Sequence, residues 1–218
     1  MISMGTMREQ FFSALLSDAL DSLGYMNQAM PPRMRPLDEE LTMVGRARTA
    51  RFVDVVDLPP SDSNPYELEI ALVDSLGPGD VAVFSCGTSG RIAPWGALLS
   101  TASQVRGAAG AVMDGLVRDI RDIRKMQFPV FHVGICPLDS KGRGQIVEVD
   151  IPIECDGVAV SPGDLIFGDA DGCVVIPQAI EADVIRVASE RLKGENRTLE
   201  ALRSGKRLAD VFAEFQVL

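Results

Sequence analysis

Apolar side chains recur at helical spacing in the first part of the chain. Between residues 7 and 23 they fall on one broad face, which predicts an amphipathic helix that ends at Gly24. The proline-rich segment 27–37 then predicts a connector without regular structure. Residues 43–56 predict a strand or a bent pair of strands, with a candidate bulge at Gly45.

The centre of the chain alternates short apolar runs with helical patterns. The predicted elements are a loop at 57–66, a helix at 67–76, a strand at 81–85, a glycine-containing loop at 86–96, a helix at 97–106, a strand at 108–114, a helix at 119–126 and a strand at 130–133. Strands that alternate with helices in this way indicate parallel βαβ units.

The last third of the chain has a different pattern. Residues 146–160 alternate apolar and polar side chains between turn residues, which predicts antiparallel strands or a hairpin. A Pro-Gly-Asp turn at 162–164 precedes two further short strands, and beyond them the chain is mainly helical with a break near Gly205. We therefore predict one α/β domain over residues 1–218, with a C-terminal helical extension at 178–218 that lies at a subunit interface.

The composition narrows the possible partners. Hydrophobic residues make up 46% of the chain and aromatic residues only 6%, so the core should be mainly aliphatic. A formal net charge of −10 argues against nucleic-acid binding, which usually needs a basic patch. No segment approaches the roughly 20 apolar residues that span a bilayer, so we expect no membrane partner and a cytoplasmic location.

Cysteine and histidine are too few and too scattered to suggest a zinc site. The four cysteines do not form a CxxC pair, and the chain has one histidine. We expect the cysteines to be reduced, buried thiols. The single histidine, His132, lies in an apolar run and is interpreted as a hydrogen-bonded core residue.

The most informative segment is GAVMDGLVRDIRD at 110–122. It predicts a buried strand, a turn at Asp114, and then the adjacent pair Arg118 and Asp119 at the start of a helix. Ligands of open α/β sheets bind at such strand ends, where a carboxylate can hold Mg²⁺ or Mn²⁺ and an arginine can bind an anionic substrate. The alternative is a helix-capping carboxylate beside a surface arginine.

The glycine-containing loop leads into a second candidate feature. Gly96 precedes a helix whose first backbone N–H groups belong to Ala97, Leu98 and Leu99. With the helix dipole these groups can bind a carboxylate or phosphate. A loop that merely turns the chain explains the same glycines. Trp95 is either a packing residue or a wall of the pocket.

Five segments resemble the RraA-like family, which includes the class II 4-hydroxy-4-methyl-2-oxoglutarate aldolases and the regulator of ribonuclease E activity. The longest is PWGALLSTASQVRGAAGAVMDGLVRD at 94–119, and the others agree with the family in order and spacing: LSDALDSLG at 16–24, GRARTA at 45–50, PGDLIFGDADGCVVIP at 162–177 and SERLKGENRTLEALRSG at 189–205. In the segment 162–177, the alternative interpretation of Asp169 and Asp171 is a hairpin turn.

The resemblance implies a compact α/β/α fold of the swivelling-domain type, assembled as a homo-trimer or hexamer with sites between subunits. It implies that Asp119 binds a divalent metal, Mg²⁺ or Mn²⁺, and that Arg118 contacts the substrate. It further implies that backbone amides from Gly96 to Leu99 hold the carboxylate of a 2-oxo acid. Glu195 of a neighbouring subunit, or alternatively Glu190, would support the waters on the metal.

One departure from the family pattern bears on activity. Aldolase members carry an acidic residue directly after the glycine of this turn, whereas this chain has Ala97. Alanine cannot transfer a proton, and general acid–base help contributes about 10²–10⁴ in rate. Another group does that work, or the reaction differs, or the chain is not an aldolase.

Two functions follow as hypotheses. The first is a metal-dependent lyase that acts on a small 2-oxo acid, by retro-aldol cleavage or oxaloacetate decarboxylation through a pyruvate-type enolate. The second is a non-catalytic regulatory or protein-binding module. A methyltransferase has little support, because no GxGxxG follows a strand.

Overall fold

The computed structural model describes residues 2–55, 64–87 and 90–216. Most of the loop predicted at 57–66 and two residues of the loop at 86–96 therefore lie outside the described residues. Within the described ranges, no helix is long and apolar enough to cross a membrane.

The elements alternate as expected for a mixed α/β fold. The helices are α1 (Met4–Gln10), α2 (Ser13–Ser22), α3 (Glu67–Ser75), α4 (Ala97–Val105), α5 (Ile120–Met126), α6 (Glu181–Arg203) and α7 (Leu208–Phe215). The strands are β1 (Arg35–Pro36), β2 (Met43–Asp54), β3 (Asp80–Ser85), β4 (Gly110–Met113), β5 (Leu116–Val117), β6 (Val130–His132), β7 (Gly134–Ile135), β8 (Gly144–Val149), β9 (Ile153–Cys155), β10 (Val158–Val160), β11 (Leu165–Asp169) and β12 (Gly172–Ile176).

One eight-stranded sheet organises the molecule. Its order is β1-β6-β4-β3-β2-β11-β12, and β8 pairs with β2 beside this path. Strands β2, β3, β4 and β6 are parallel to their neighbours in this set, while β1, β8, β11 and β12 pair in the antiparallel sense. The predicted βαβ units are confirmed, and the carboxyl ends of β3, β4 and β6 lie at one edge.

Apolar side chains cover both faces of the sheet. On one face, α3 and α5 bury residues such as Leu72 and Ile123 in a cluster that includes Trp95. On the other face, α1, α2 and α6 form a second cluster, exemplified by Leu16 and Val184. Each fully buried side chain of this kind stabilises the fold by roughly 1.5–3 kcal/mol. The predicted α/β/α layering is therefore present.

The single helix predicted at 7–23 is wrong, because α1 and α2 are separated at Phe11 and Phe12. The carboxylate of Asp169 accepts hydrogen bonds from the Ser13 backbone N–H at 2.7 Å and from its hydroxyl at 2.6 Å. These bonds satisfy the start of α2 and favour a new helix there. Asp169 also closes the predicted hairpin turn, opposite Gly172 in the register of β11 and β12.

Two details of the strands differ from the prediction. The irregularity in β2 lies between Arg51 and Phe52, where its register with β8 shifts, and not at Gly45. Gly45 instead allows close packing, since a Cβ there would lie 2.7 Å from a methyl of Val81. The segment 146–160 splits into β8, which pairs with β2, and the hairpin β9–β10.

The first half of α6 packs against α2, which anchors the C-terminal helices to the rest of the chain. Val184 and Ala188 of α6 are fully buried in the cluster with α2, and Arg191 pairs with Asp18 at 2.6 Å. The predicted break near Gly205 is confirmed between α6 and α7. A role for these helices between subunits remains a prediction.

Candidate functional site

Backbone pairing brings Arg118 next to Gly96. Arg118 follows β5, which pairs in parallel with β7, so a short strand precedes the predicted helix. Trp95 forms an isolated parallel bridge with Val117, and the Arg118 N–H donates to the Trp95 carbonyl at 3.0 Å. The turn before α4 and the Arg118–Asp119 pair therefore form one continuous surface.

The backbone of Asp119 turns its carboxylate back toward α4. Its φ of 58° lies in the left-handed region, which aspartate tolerates better than most residues, and it occupies the N-cap position of α5. The Ala97 N–H donates to Asp119 Oδ2 at 3.1 Å. The positive end of the α4 dipole therefore faces this carboxylate.

Glycine is required at position 96 by close approach. Gly96 has extended backbone angles, so no unusual φ explains it. A Cβ there would lie 2.6 Å from Asp119 Oδ2 and 3.1 Å from Arg118 Cγ. Any other side chain would push the carboxylate away from the start of α4.

These groups line a cavity of about 430 Å³ at the carboxyl edge of the sheet. Helix α3, the start of α4 and the segments after β5 and β7 contribute its walls: Tyr66, Glu69, Ile70, Val73, Asp74, Ala93, Pro94, Trp95, Gly96, Leu98, Leu99, Ala102, Arg118, Asp119, Asp139 and Ser140. The size suits a small organic acid, and the position is where α/β sheets bind ligands. Trp95 is both packing residue and wall, because it is fully buried and its indole N–H donates to Ser100 Oγ at 2.8 Å.

Arg118 lies between two carboxylates. Its Nε is 3.8 Å from Asp119 Oδ2, and its Nη1 is 3.7 Å from Asp139 Oδ1. Both distances exceed a hydrogen bond, and the side chain is 35% exposed, so water screens the two attractions. The guanidinium is therefore held near the cavity while most of its donors stay available to a ligand.

The Tyr66 hydroxyl donates a hydrogen bond to Asp139 Oδ2 at 2.8 Å. Burial and the acceptor Asp139 raise the pKa of Tyr66 to about 12, so this group stays protonated at neutral pH. Burial acts to raise the pKa of Asp139, but hydrogen bonds from Tyr66 and the Lys141 N–H, with the charge of Arg118, lower it on balance. Asp139 is therefore an ionised carboxylate.

Glu69 is the buried acid of the cavity. It is only 7% exposed, and burial together with the charge of Asp139 raises its pKa to about 7, while Arg118 acts in the opposite direction. Sequence reasoning missed Glu69, Tyr66 and Asp139. A signal for Glu69 existed, because it stands three and four residues before Leu72 and Val73 on the buried face of α3.

The predicted site residues fall into two groups. Gly96, Leu98, Leu99, Arg118 and Asp119 line the cavity, and Ala97 contributes its backbone N–H to Asp119. The remaining predicted site residue, Glu195, lies elsewhere, and so do Asp114 and His132, which were interpreted as a turn residue and a core residue. Glu195 on α6 faces Arg191 at 3.6 Å, Asp114 accepts hydrogen bonds from the Cys86 and Asp156 N–H groups, and His132 is a buried strand residue.

His132 and the cysteines behave as core residues. Burial lowers the pKa of His132 to about 4, and its Nδ1 lacks a hydrogen-bond partner among the described residues. All four cysteines are free thiols, of which Cys86, Cys155 and Cys173 are buried as expected. Burial raises the pKa of the Cys86 thiol well above its usual value.

The donor set can be compared with what metals require. Among the described residues, no three or more His, Cys, Asp or Glu side chains come together as a metal cage. The Asp119 carboxylate is 45% exposed at the cavity, and one of its oxygens is held by the Ala97 N–H. One carboxylate, completed by water and ligand oxygens, suits Mg²⁺ or Mn²⁺ and does not suit a structural zinc ion.

Known proteins resemble this chain over most of its length. It is 36% identical to a putative 4-hydroxy-4-methyl-2-oxoglutarate aldolase of Halalkalibacterium halodurans over 81% of this chain and 77% of that protein. It is 28% identical to the 4-hydroxy-4-methyl-2-oxoglutarate aldolase of Thermus thermophilus, over 69% and 85% of the two chains.

A solved structure agrees with these relatives. RraAS2 of Streptomyces coelicolor, described as an unusual member of the RNase ES inhibitor RraA protein family, superposes with a TM-score of 0.77 at 26% identity, covering 89% of this chain and 96% of that one. The family model described as RraA-like, Aldolase/RraA, matches residues 13–175. This chain therefore belongs to the RraA-like family.

Proposed function

We propose that this protein is a divalent-metal-dependent carbon–carbon lyase that acts on a small 2-oxo acid. The substrates would be of the 4-hydroxy-4-methyl-2-oxoglutarate type, oxaloacetate, or both. The observation that carries the proposal is the Ala97 N–H to Asp119 contact at 3.1 Å, beside Arg118 in a cavity of about 430 Å³. Relatives named as aldolases support the same reading.

Asp119 would hold the metal through the carboxylate oxygen that the Ala97 N–H leaves available. When bound, Mg²⁺ or Mn²⁺ supplies Lewis-acid polarisation of the substrate carbonyl. Glu195 of a neighbouring subunit in a trimer or hexamer would support the waters of the metal. This part of the proposal is consistent with the position of Glu195 outside the cavity of its own chain.

The remaining groups would orient the acid and stabilise charge. The backbone N–H groups of Leu98 and Leu99 lie in the first turn of α4, where a ligand carboxylate finds donors and a favourable dipole. Arg118 would stabilise the negative charge that develops on the enolate oxygen when the carbon–carbon bond breaks. Pro94, Trp95 and the apolar wall of α3 would exclude water.

The test is a lyase assay on the purified protein with oxaloacetate and with 4-hydroxy-4-methyl-2-oxoglutarate, with and without Mg²⁺ or Mn²⁺. We expect pyruvate formation well above a blank that contains metal and no protein, and its loss in Asp119→Ala. A rate equal to the blank, with wild type and Asp119→Ala indistinguishable, would refute the proposal.

A second candidate is a non-catalytic regulatory module that binds another protein. Ala97, in place of the family's acidic residue, favours it, and so does the likeness to RraAS2. Thermal unfolding with Mn²⁺ and oxalate separates the two functions. Stabilisation that requires both ligands supports the lyase, whereas no stabilisation supports the regulator.

A further inference from the structure

We propose that Glu69 is the acid–base residue of this site and performs the proton transfer that an acidic residue at position 97 would otherwise perform. The inference rests on the proposed lyase function and adds the catalytic group that this function lacks. The first support for Glu69 is its position. Glu69 projects from α3 into the cavity that Arg118 and Asp119 also line, and it is 7% exposed.

Among the residues that the structure describes, no group donates a hydrogen bond to the Glu69 carboxyl, although buried carboxyl groups normally have such partners. A buried acid without a partner destabilises the fold, which is acceptable where the group serves a ligand. The cavity supplies the place where a ligand would meet it.

The neighbours of Glu69 leave it able to both lose and gain a proton. Asp139 and Arg118 are the charged groups that act on it, and they act in opposite directions. Burial adds to the effect of Asp139 and places the pKa of Glu69 at about 7. A proton carrier is most effective when its pKa lies near the working pH.

Two titratable residues of the cavity wall, Tyr66 and Asp139, and the nearby Cys86 are poor proton carriers at neutral pH. Tyr66 stays protonated because its pKa is about 12, and the pKa of Asp139 is lowered so that it stays ionised. The Cys86 thiol stays protonated because burial and the charges of Asp114 and Glu69 raise its pKa. Of these four groups, only Glu69 has a pKa near neutral pH.

The reaction balances with this single group. In retro-aldol cleavage, the Glu69 carboxylate accepts the proton of the C4 hydroxyl, and that oxygen becomes the carbonyl of the second product. The electron pair of the C3–C4 bond becomes the enolate of pyruvate. Glu69 then returns the proton to C3, which completes the pyruvate methyl group. In decarboxylation, CO₂ leaves, the protonated Glu69 donates to C3, and water restores its proton.

Exchange of the pyruvate methyl protons in D₂O, followed by proton NMR with Mg²⁺ present, isolates this proton transfer without breaking a carbon–carbon bond. We expect Glu69→Gln to slow the exchange by about 10²–10⁴-fold. Binding of Mg²⁺ and oxalate, measured by calorimetry, should stay at the wild-type level, because the amide keeps the shape of the cavity. A structural role would weaken binding and exchange together.

The matched control is Glu67→Gln, which removes an exposed carboxylate from the same helix outside the cavity. It should exchange like wild type. If Glu69→Gln does not fold, Glu69→Ala with added formate replaces it, and formate should restore exchange. The assignment of Glu69 is overturned if Glu69→Gln exchanges the methyl protons as fast as wild type. It is also overturned if formate does not restore exchange in Glu69→Ala. Absence of exchange and lyase activity in wild type overturns the proposed function as well.

Discussion

The Ala97 backbone N–H donates to the Asp119 carboxylate at 3.1 Å, across 22 positions of sequence. This contact joins the start of α4 to the start of α5 and fixes one oxygen of Asp119. The other oxygen is the group available to a cation. Because Gly96 lies beside the same carboxylate, the contact depends on a residue without a side chain.

Gly96→Ala should abolish metal-dependent activity while leaving the fold intact. The new Cβ would lie 2.6 Å from Asp119 Oδ2, so the carboxylate must move away from α4. We expect Mg²⁺-dependent oxalate binding to be lost and the melting temperature to change little, measured by calorimetry and circular dichroism. Gly90→Ala is the control, because a Cβ there meets no atom of the described residues within 4 Å. Wild-type oxalate binding by Gly96→Ala would contradict the requirement for glycine.

Asp119→Asn should remove the metal without disturbing the backbone. Asparagine tolerates the left-handed conformation at φ 58° and its amide oxygen can still accept from Ala97, but it carries no charge. We expect the thermal stabilisation by Mn²⁺ and oxalate to disappear. Asp122→Asn removes an exposed charge from the same helix and should keep the stabilisation. Stabilisation retained in Asp119→Asn would exclude this carboxylate as the ligand.

Arg118→Lys should lower activity although the charge is kept. Lysine has one ammonium group and lacks the planar guanidinium that faces both Asp119 and Asp139. It also cannot bind a carboxylate through two parallel N–H donors. We expect kcat/KM for oxaloacetate to fall by about 10²-fold, the scale for loss of one charge-stabilising donor. Arg121→Lys, an exposed position on α5, is the comparison. Equal kcat/KM in both variants would show that a point charge suffices.

Part of the site was predictable because it follows local rules. Arg118 and Asp119 come after a buried run, Gly96 comes before a helical pattern, and parallel strands end at one edge of the sheet. These rules bring the two segments together without knowledge of the packing. The family resemblance points to the same residues, and the position of Ala97 as an exception was visible in the sequence.

The rest depends on contacts between distant segments. Glu69 and Tyr66 reach the cavity only because α3 packs on the sheet, and Asp139 arrives on the segment after β7. The division of the predicted helix at 7–23 into α1 and α2 could not be predicted from the sequence either. Its cause is the Asp169 carboxylate, which caps Ser13 from 156 positions away, and hydrophobic periodicity cannot reveal such a cap.

Glu69 should also leave a signature in the pH dependence of stability of the metal-free protein. Its pKa is raised from 4.5 to about 7 in the folded state, so between these values the folded protein holds a proton that the unfolded chain releases. The free energy of unfolding should therefore fall as pH rises from 4.5 to 7, by about 3 kcal/mol for a shift of this size. Above pH 7 this group adds no further change.

Glu69→Gln should lack this fall, because the amide does not titrate in that range. Urea unfolding at pH 5 and pH 8 gives the free energy of unfolding of wild type and of Glu69→Gln, and the difference between the two proteins is compared at the two pH values. The stability of Glu69→Gln relative to wild type should be greater at pH 8 than at pH 5. His132, whose lowered pKa costs stability as pH falls below 6.5, is present in both proteins and cancels. Parallel stability curves for the two proteins would mean that Glu69 titrates as an ordinary carboxyl, and its suitability as a proton carrier near neutral pH would be lost.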